Sequence, residues 1–326
     1  MFNLTQDRKF EEMGREIPAI RFKGVEKYYG ERPALAGIDL VIPEGGCFGL
    51  LGPNGAGKTS LVRTAATLTP PDQGSVTVFG HDVVKQGADV RADIGLVFQE
   101  SCLDRQLTVE EHLELHARLY RLPGRSVLVE ESLRSAGLAD LRGCRVRELS
   151  GGMGRRLEIA RGLMHLPRIL FLDEPTIGLD VVARRSVWEQ IRELVSRRTT
   201  VVLTTHDMEE ADFLCDRLAF IDAGRIITTG TPDDLKRSLG GDVVTLRLEN
   251  LEGAESSIRL IRNVREVVKL SGSAGLRIVV FEGSRCLPDI LANVRANGIL
   301  DVHFERPTLE AVFLHYTGHQ LGDKNS

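Results

Sequence analysis

The chain has 326 residues, of which 42% are hydrophobic and 27% charged, the composition of a globular protein with room for one large and one smaller domain. Its net charge of -4 at pH 7 argues against a nucleic-acid binder that relies on overall positive charge. No run of about 18 uncharged apolar residues occurs, which excludes a membrane-spanning helix, and the charged Asn3–Glu16 stretch lacks the apolar centre of a secretory signal. Cys47, Cys102, Cys144, Cys215 and Cys286 are scattered without a C-x-x-C pair, so reduced thiols in a cytosolic setting are expected, with no metal role.

In chain order, residues 1–17 are polar and expected to be loosely ordered. The alternation of Ile20 and Phe22 within 19–25 predicts an edge strand. Lys27-Tyr28-Tyr29-Gly30 reads as a turn, either plain surface or a platform for a nucleotide base, and Ala34 to Ile42 is a largely apolar run. Cys47 to Leu51 predicts a short buried strand, and Gly52-Pro53-Asn54-Gly55-Ala56-Gly57-Lys58-Thr59 then fits the pattern G-x-x-x-x-G-K-[ST] at every position. Ser60 to Ala66 has helical spacing. In that context the glycines turn backbone N–H groups onto phosphate oxygens, and the helix presents its positive end. Lys58 reaches the β- and γ-phosphates and the Thr59 hydroxyl binds Mg²⁺. This predicts a nucleoside triphosphate site.

Ser75 to Gly80 alternates like a strand, and Ile94 to Gln99 is another, ending in a polar Gln99 that either caps the strand or reaches a metal and its attacking water. Leucines across 107–149 are spaced for amphipathic helices, a helical insertion in a strand-helix alternation. Ser150 is placed to cap a helix whose first residues, Gly151 and Gly152, leave N–H groups bare, either a capped helix with a flexible lead-in or a second anion-binding helix end. Ile169 to Leu172 is an apolar run closed by Asp173 and Glu174, the pattern of a strand buried in a parallel sheet with chemistry at its C-terminal end. Asp173 suits Mg²⁺ through water; Glu174 suits deprotonating the water that attacks the γ-phosphate. Val201 to His206 is a further buried strand, and its terminal His206 belongs beside those acids.

Gly52–Thr59, Gln99, Leu149-Ser150-Gly151-Gly152-Met153, Asp173-Glu174, Gly178-Leu179-Asp180 and His206 together resemble the ATP-binding cassette (ABC) ATPases in order and spacing, across roughly 18–240. The Leu-Ser-Gly-Gly signature separates that class from other P-loop proteins. The resemblance implies an α/β fold: a P-loop NTPase with a RecA-like core, an antiparallel β subdomain and a helical subdomain near 100–165. It implies ATP and Mg²⁺ as ligands. ATP contacts fall on Tyr29 (stacking on adenine, with Tyr28 as the neighbouring option), on Gly52, Pro53, Asn54, Gly55, Ala56, Gly57, Lys58 and Thr59, and on Ser60. Mg²⁺ falls to Thr59, Gln99 and Asp173. Glu174 resembles the catalytic carboxylate and His206 the residue that holds the γ-phosphate and positions it, with Lys58 and Gln99 in support. Ser150, Gly151, Gly152 and Asp180 resemble residues that reach ATP held by a second subunit. Two departures stand out. Met153 replaces the usual Gln, and Gly154 sits inside the signature helix at a cost of about 1 kcal/mol, predicting a loose helix start.

Gln99 to Asp104, Leu107 to Leu113 and the ending Arg306 to Leu314 are similar to daunorubicin-resistance type drug-export ATPases, and nodulation-factor export ATPases are similar through the core. The implied protein is the ATPase subunit of an exporter for a drug, antibiotic or lipid-like compound. It dimerises on ATP at the cytoplasmic face of the membrane and drives a separate permease, without nucleic acid. An importer ATPase, or an ABC protein acting on ribosomes or DNA, is the alternative. Residues 241–317 read as strand, helix, strand, strand around a Gly272–Gly275 turn, helix and strand, a ferredoxin-like α+β accessory module, and 318–326 as a disordered tail.

Overall fold

The computed structural model describes residues 17–270, 275–281 and 283–318. The expected Gly272–Gly275 turn, the 318–326 tail and the 1–17 segment lie outside these residues except for Gly275, Gly318 and Ile17. Two compact units follow one another, Met1–Thr229 and Gly230–Ser326.

The first unit runs β1 (Ile20–Tyr29), β2 (Arg32–Ile42), β3 (Cys47–Leu51), α1 (Lys58–Ala65), β4 (Gln73–Val78), β5 (His81–Asp82), α2 (Gly87–Asp93) and β6 (Ile94–Val97). It continues with α3 (Val109–Leu119), α4 (Arg125–Ser135), α5 (Gly151–Leu163), β7 (Ile169–Asp173), α6 (Val181–Ser196), β8 (Thr200–Thr205), α7 (Met208–Leu214), β9 (Arg217–Asp222) and β10 (Arg225–Gly230). Strands β3, β7 and β8 are buried at every residue, as strands covered on both faces must be, and they pair in parallel within the sheet β10-β9-β3-β8-β7-β6. A separate antiparallel sheet, β2-β1-β4-β5, stands over α1. One cluster joins Ile20, Ile42 and Val78 of that sheet to Leu61 and Ala65 of α1 and to Phe171 and Val202 of the parallel sheet. The glycine loop is therefore wedged between two sheets.

The expectation of an edge strand at 19–25 is corrected: β1 pairs with β2 on one side and β4 on the other, and runs on through Tyr29. Its alternation reports one covered face, which an interior strand shows as readily as an edge.

The helical insertion forms as read. Thr108 and Glu111 exchange side-chain and backbone hydrogen bonds in a capping box that starts α3. Val109, Leu113 and Ala117 then pack with Val129 and Leu133 of α4 and Leu157 of α5. Beside this core Tyr120 lies between His116 and His165, 4.5 Å from each ring. Burial and the neighbouring Arg161 lower the His112 pKa to about 4, and the same two causes bring His116 to about 4. His112 Nδ1, His116 Nε2 and His165 Nδ1 are buried without a hydrogen-bond partner.

The second unit runs α8 (Pro232–Ser238), β11 (Asp242–Leu248), α9 (Ala254–Arg259), β12 (Val264–Lys269), β13 (Gly275–Val280), α10 (Gly283–Val294), β14 (Ile299–Glu305) and α11 (Leu309–Thr317). Within it the β-α-β-β-α-β order makes one antiparallel sheet, β12-β13-β11-β14, the ferredoxin-like arrangement. Val244, Leu246, Ile278 and Val280 on one face meet Ile258 of α9 and Ile290 of α10. Helix α10 starts at Gly283, whose N–H is capped by the Asp242 carboxylate (2.8 Å).

Because the folded His112 pKa of about 4 lies below the unfolded value of 6.5, the unfolded chain takes up the proton first as pH falls. Its stabilising contribution is intact above pH 6.5 and is lost as the pH drops toward 4. Urea unfolding of the wild type and His112→Gln should therefore diverge in pH dependence over this window by on the order of 2 kcal/mol. Parallel curves would contradict the assignment.

Candidate active site

The phosphate loop leaves β3 at Gly52 and enters α1 at Gly57. A Cβ on Gly52 would lie 2.0 Å from the Ile221 carbonyl oxygen, so no larger residue fits beside β9. Gly57 caps α1 at φ 110°, where side chains are strained, and a Cβ there would also meet the Ala34 carbonyl at 2.5 Å. Lys58 opens the helix and is nearly fully buried. Its Nζ donates to Gly52 O (2.7 Å) and Pro53 O (3.2 Å) and stands 3.2 Å from Glu174 Oε1.

Parallel pairing brings Asp173 at the end of β7 beside Thr204 of β8. Asp173 is 3% exposed, and its Oδ1 accepts from both Thr204 Oγ1 and Thr59 Oγ1 (3.2 Å). Glu174, 6% exposed, leaves the strand at φ 48°, a left-handed conformation that costs a non-glycine residue about 1–3 kcal/mol. Two hydrogen bonds from Glu174 N, to Thr204 Oγ1 (3.0 Å) and Thr204 O (3.1 Å), hold that bend. It turns the carboxylate so that Oε1 faces Lys58 and Oε2 accepts from His206 Nδ1 at 2.9 Å. That hydrogen bond commits Nδ1 to Glu174 and leaves His206 Nε2 for another partner. Behind the bend, the Glu210 carboxylate accepts from Thr176 Oγ1 (2.7 Å) and Trp188 Nε1 (3.0 Å), and burial raises its pKa.

A cleft of about 500 Å³ opens over these groups. Tyr29, Pro53, Asn54, Gly55, Gly57, Lys58, Thr59, Ser60, Gln99 and Glu174 all line it, with Arg32 and Ala34. Of the two tyrosines, Tyr29 is the one at the cleft; Tyr28 donates its hydroxyl to Glu26 (3.0 Å). Gly52, Ala56, Asp173 and His206 are not among the residues that line it. Gln99 falls just past β6 rather than within it, and the backbone around it is held from α5. Arg155 Nη1 donates to Phe98 O (2.7 Å) and to Glu158 Oε2 (2.9 Å), and Nη2 to Gln99 O (3.0 Å).

Ser150, Gly151, Gly152 and Asp180 are not part of that lining. Ser150 and Gly151 line a second cleft of about 380 Å³, which shares Gln99 with the first. Ser150 caps α5, its Oγ accepting from Met153 N at 3.3 Å, and Asp180 caps α6, accepting from Ala183 N at 2.8 Å. The expected loose helix start is not seen: α5 is regular from Gly151, with Gly154 N bonded to Ser150 O at 2.9 Å. Thr204, the Arg155–Glu158 pair and Glu210 escaped the sequence reading. Thr204 left no distinguishing trace, being one of three threonines in β8, with Thr200 and Thr205.

Backbone N–H groups at the start of α1, a buried lysine and two carboxylates one strand away serve a single chemistry, the handling of a nucleoside triphosphate. The class is that of the P-loop nucleoside triphosphatases. Comparison with known proteins narrows it. The ABC transporter family model matches residues 35–177. The chain is 43% identical to daunorubicin resistance ATP-binding protein DrrA3 of Streptomyces coeruleorubidus, over 92% of this chain and 96% of that one. It is 37% identical to Nod factor export ATP-binding protein I of Rhizobium sp. (strain N33), over 93% and 98% respectively. Among solved structures, cbiO1 from Clostridium perfringens, part of an ABC transporter complex, superimposes with a TM-score of 0.63 at 27% identity, covering 68% of this chain and 91% of that one. An ATP-binding cassette of an ABC transporter in its ADP conformation gives 0.61 at 26% identity, covering 67% and 93%. The chain belongs to the ABC transporter family, as an ATP-binding subunit with ATPase activity. No helix among the described residues is long and apolar enough to cross a membrane.

Thr204→Val, nearly isosteric, removes the hydroxyl shared by Asp173 and Glu174. The expected result is a kcat roughly 10- to 100-fold lower, KM within a few-fold, and rescue by Thr204→Ser. Unchanged kcat in Thr204→Val would refute the positioning role.

Proposed function

We propose that the chain is the ATP-hydrolysing subunit of an exporter, acting at the cytoplasmic face of the membrane through a separately encoded permease. The names of its relatives, one a drug-resistance and one an export ATP-binding protein, support that direction and suggest a drug, antibiotic or lipid-like cargo. The observation that carries the hydrolytic reading is the position of Glu174, its two carboxylate oxygens divided between Lys58 and His206.

In this reading the triphosphate lies along the loop, its oxygens accepting from the N–H groups of Gly55–Thr59, while Tyr29 stacks on the base. Lys58 exchanges its carbonyl partners for the β- and γ-phosphates. Glu174 accepts a proton from the attacking water, and His206, as the imidazolium, donates from Nδ1–H to Glu174 and from Nε2–H to a γ-phosphate oxygen. The paired oxygens of Thr59 and Asp173, with Gln99 alongside, form the hard donor set that suits Mg²⁺. That ion, when bound, supplies positive charge to the phosphates.

Ser150, Gly151 and Gly152 sit at a helix end away from this chain's own loop, so they are assigned to ATP held by a second copy, with Asp180 linking the two sites. ATP is then the joint of the dimer, and its hydrolysis releases it. Residues 18–240 serve as the nucleotide-binding domain and 241–317 as an accessory domain.

Glu174→Gln, tagged and recovered from host membranes with ATP, should bind nucleotide, show turnover reduced by at least about a hundredfold and stay dimeric with a multi-span membrane protein attached, seen by mass spectrometry. Wild-type turnover would refute the role of Glu174. Ribosomal or DNA-bound proteins in place of a permease would refute the exporter reading.

A further inference from the structure

The second unit contains a cleft of about 1020 Å³ that the ATPase account leaves unused. Five cationic residues line it and come from four separate segments: Lys236 and Arg237 on α8, Arg262 after α9, Arg285 in the first turn of α10, and Arg306 after β14. The described carboxylates of the lining are two, Asp233 and Asp242. Asp242 is committed to the N-terminus of α10 through Gly283 N–H (2.8 Å). Asp233 stands 3.5 Å from Lys236, and Asp234, outside the lining, 3.6 Å from Arg237. Among the described residues neither Arg262 nor Arg306 has a carboxylate partner.

Two arginines without carboxylate partners in one hollow do nothing for the fold. Exposed ion pairs contribute little, and like charges brought together repel. The core of this unit is already complete in the layer of Val244, Ile278, Ile258 and Ile290. The convergence of four segments on one hollow has instead the character of an anion site. Four of the five cations are arginines, whose planar forks match phosphate oxygens two at a time. A phosphate group carries about -1.5 to -2 charges and three acceptor oxygens, enough for several forks at once, whereas a carboxylate satisfies one. Arg306 is already steadied by its hydrogen bond to the Ser284 hydroxyl. Phe281 and Pro307 add an apolar wall beside the charges.

We propose that this cleft binds a phosphate-bearing anion, held chiefly by Arg262, Arg285 and Arg306. The chemistry is shared by a soluble phosphate ester and by the headgroup of an anionic lipid, and the volume admits more than one phosphate group.

The test uses the full chain carrying Lys58→Ala, so that the phosphate loop does not contribute. Pyrophosphate is titrated calorimetrically, and flotation is measured with vesicles of phosphatidylcholine alone or mixed with phosphatidylglycerol. Saturable pyrophosphate binding supports a soluble ligand. Flotation only with the anionic vesicles supports a headgroup. In either case Arg262→Gln/Arg306→Gln should weaken binding at least about tenfold. In an otherwise wild-type chain the pair should leave basal ATPase activity unchanged. Should that pair fail to fold, Lys236→Gln/Arg237→Gln on the surface of α8 serves in its place and should weaken binding in the same direction. Absence of binding to both probes, or binding that a folded variant pair leaves unchanged, overturns the proposal.

Discussion

Two acidic residues buried at the end of one strand set the terms for this molecule. Burying an ionised carboxylate costs several kcal/mol unless hydrogen bonds and opposite charge replace its water. Asp173 obtains that replacement from Thr204 and Thr59, and Glu174 from Lys58 and His206. These four partners arrive on three elements: Thr204 on β8, Lys58 and Thr59 at the start of α1, and His206 in the turn after β8. The parallel sheet has to place β8 beside β7, with α1 close by, for the acids to be tolerated at all. The fold and the site are thus one arrangement, and removing any partner leaves a buried charge short of its hydrogen bonds.

The same logic extends outward. The left-handed bend at Glu174 persists because Thr204 bonds its N–H twice and Glu210 braces the segment beyond it. Gln99 is steadied through its backbone by Arg155, which belongs to α5, the helix whose N-terminus carries Ser150. A mechanical link therefore runs from the cleft wall to the signature helix: Gln99, Arg155, Glu158 and back to the loop at Cys102, whose N–H donates to Glu158 (3.0 Å).

Much of this was legible in the sequence because the informative residues stand at the junctions of periodic segments. The glycine loop, the acids closing an apolar run and the Ser-Gly-Gly helix start each combine a local pattern with a chemistry. The β-α-β-β-α-β part of the second unit was readable for the same reason, its apolar alternation being that of one sheet face packed on two helices, whereas α8 and α11 were not read as helices. What escaped depends on register. Nothing in Val201 to Thr205 says which β7 residue Thr204 will face. Arg155 and Glu158 look like surface charges until α5 is placed against the loop after β6. Likewise β1 alternates whether or not β4 lies beyond it, so its interior position was invisible. Arginines at 262, 285 and 306 meet only through tertiary folding.

The central claim is that each catalytic centre is composite, one chain supplying Lys58 and Glu174 and another the helix end at Ser150. It is tested most directly by mixing two inactive variants. Lys58→Ala cannot hold ATP on its own loop and Ser150→Arg cannot approach the phosphates of its partner, so each alone should lack ATPase activity. In a mixed dimer the loop of the Ser150→Arg chain meets the intact signature of the Lys58→Ala chain, and activity should return as the two are combined. A mixture as inactive as its components, with dimers shown to exchange, would contradict the account.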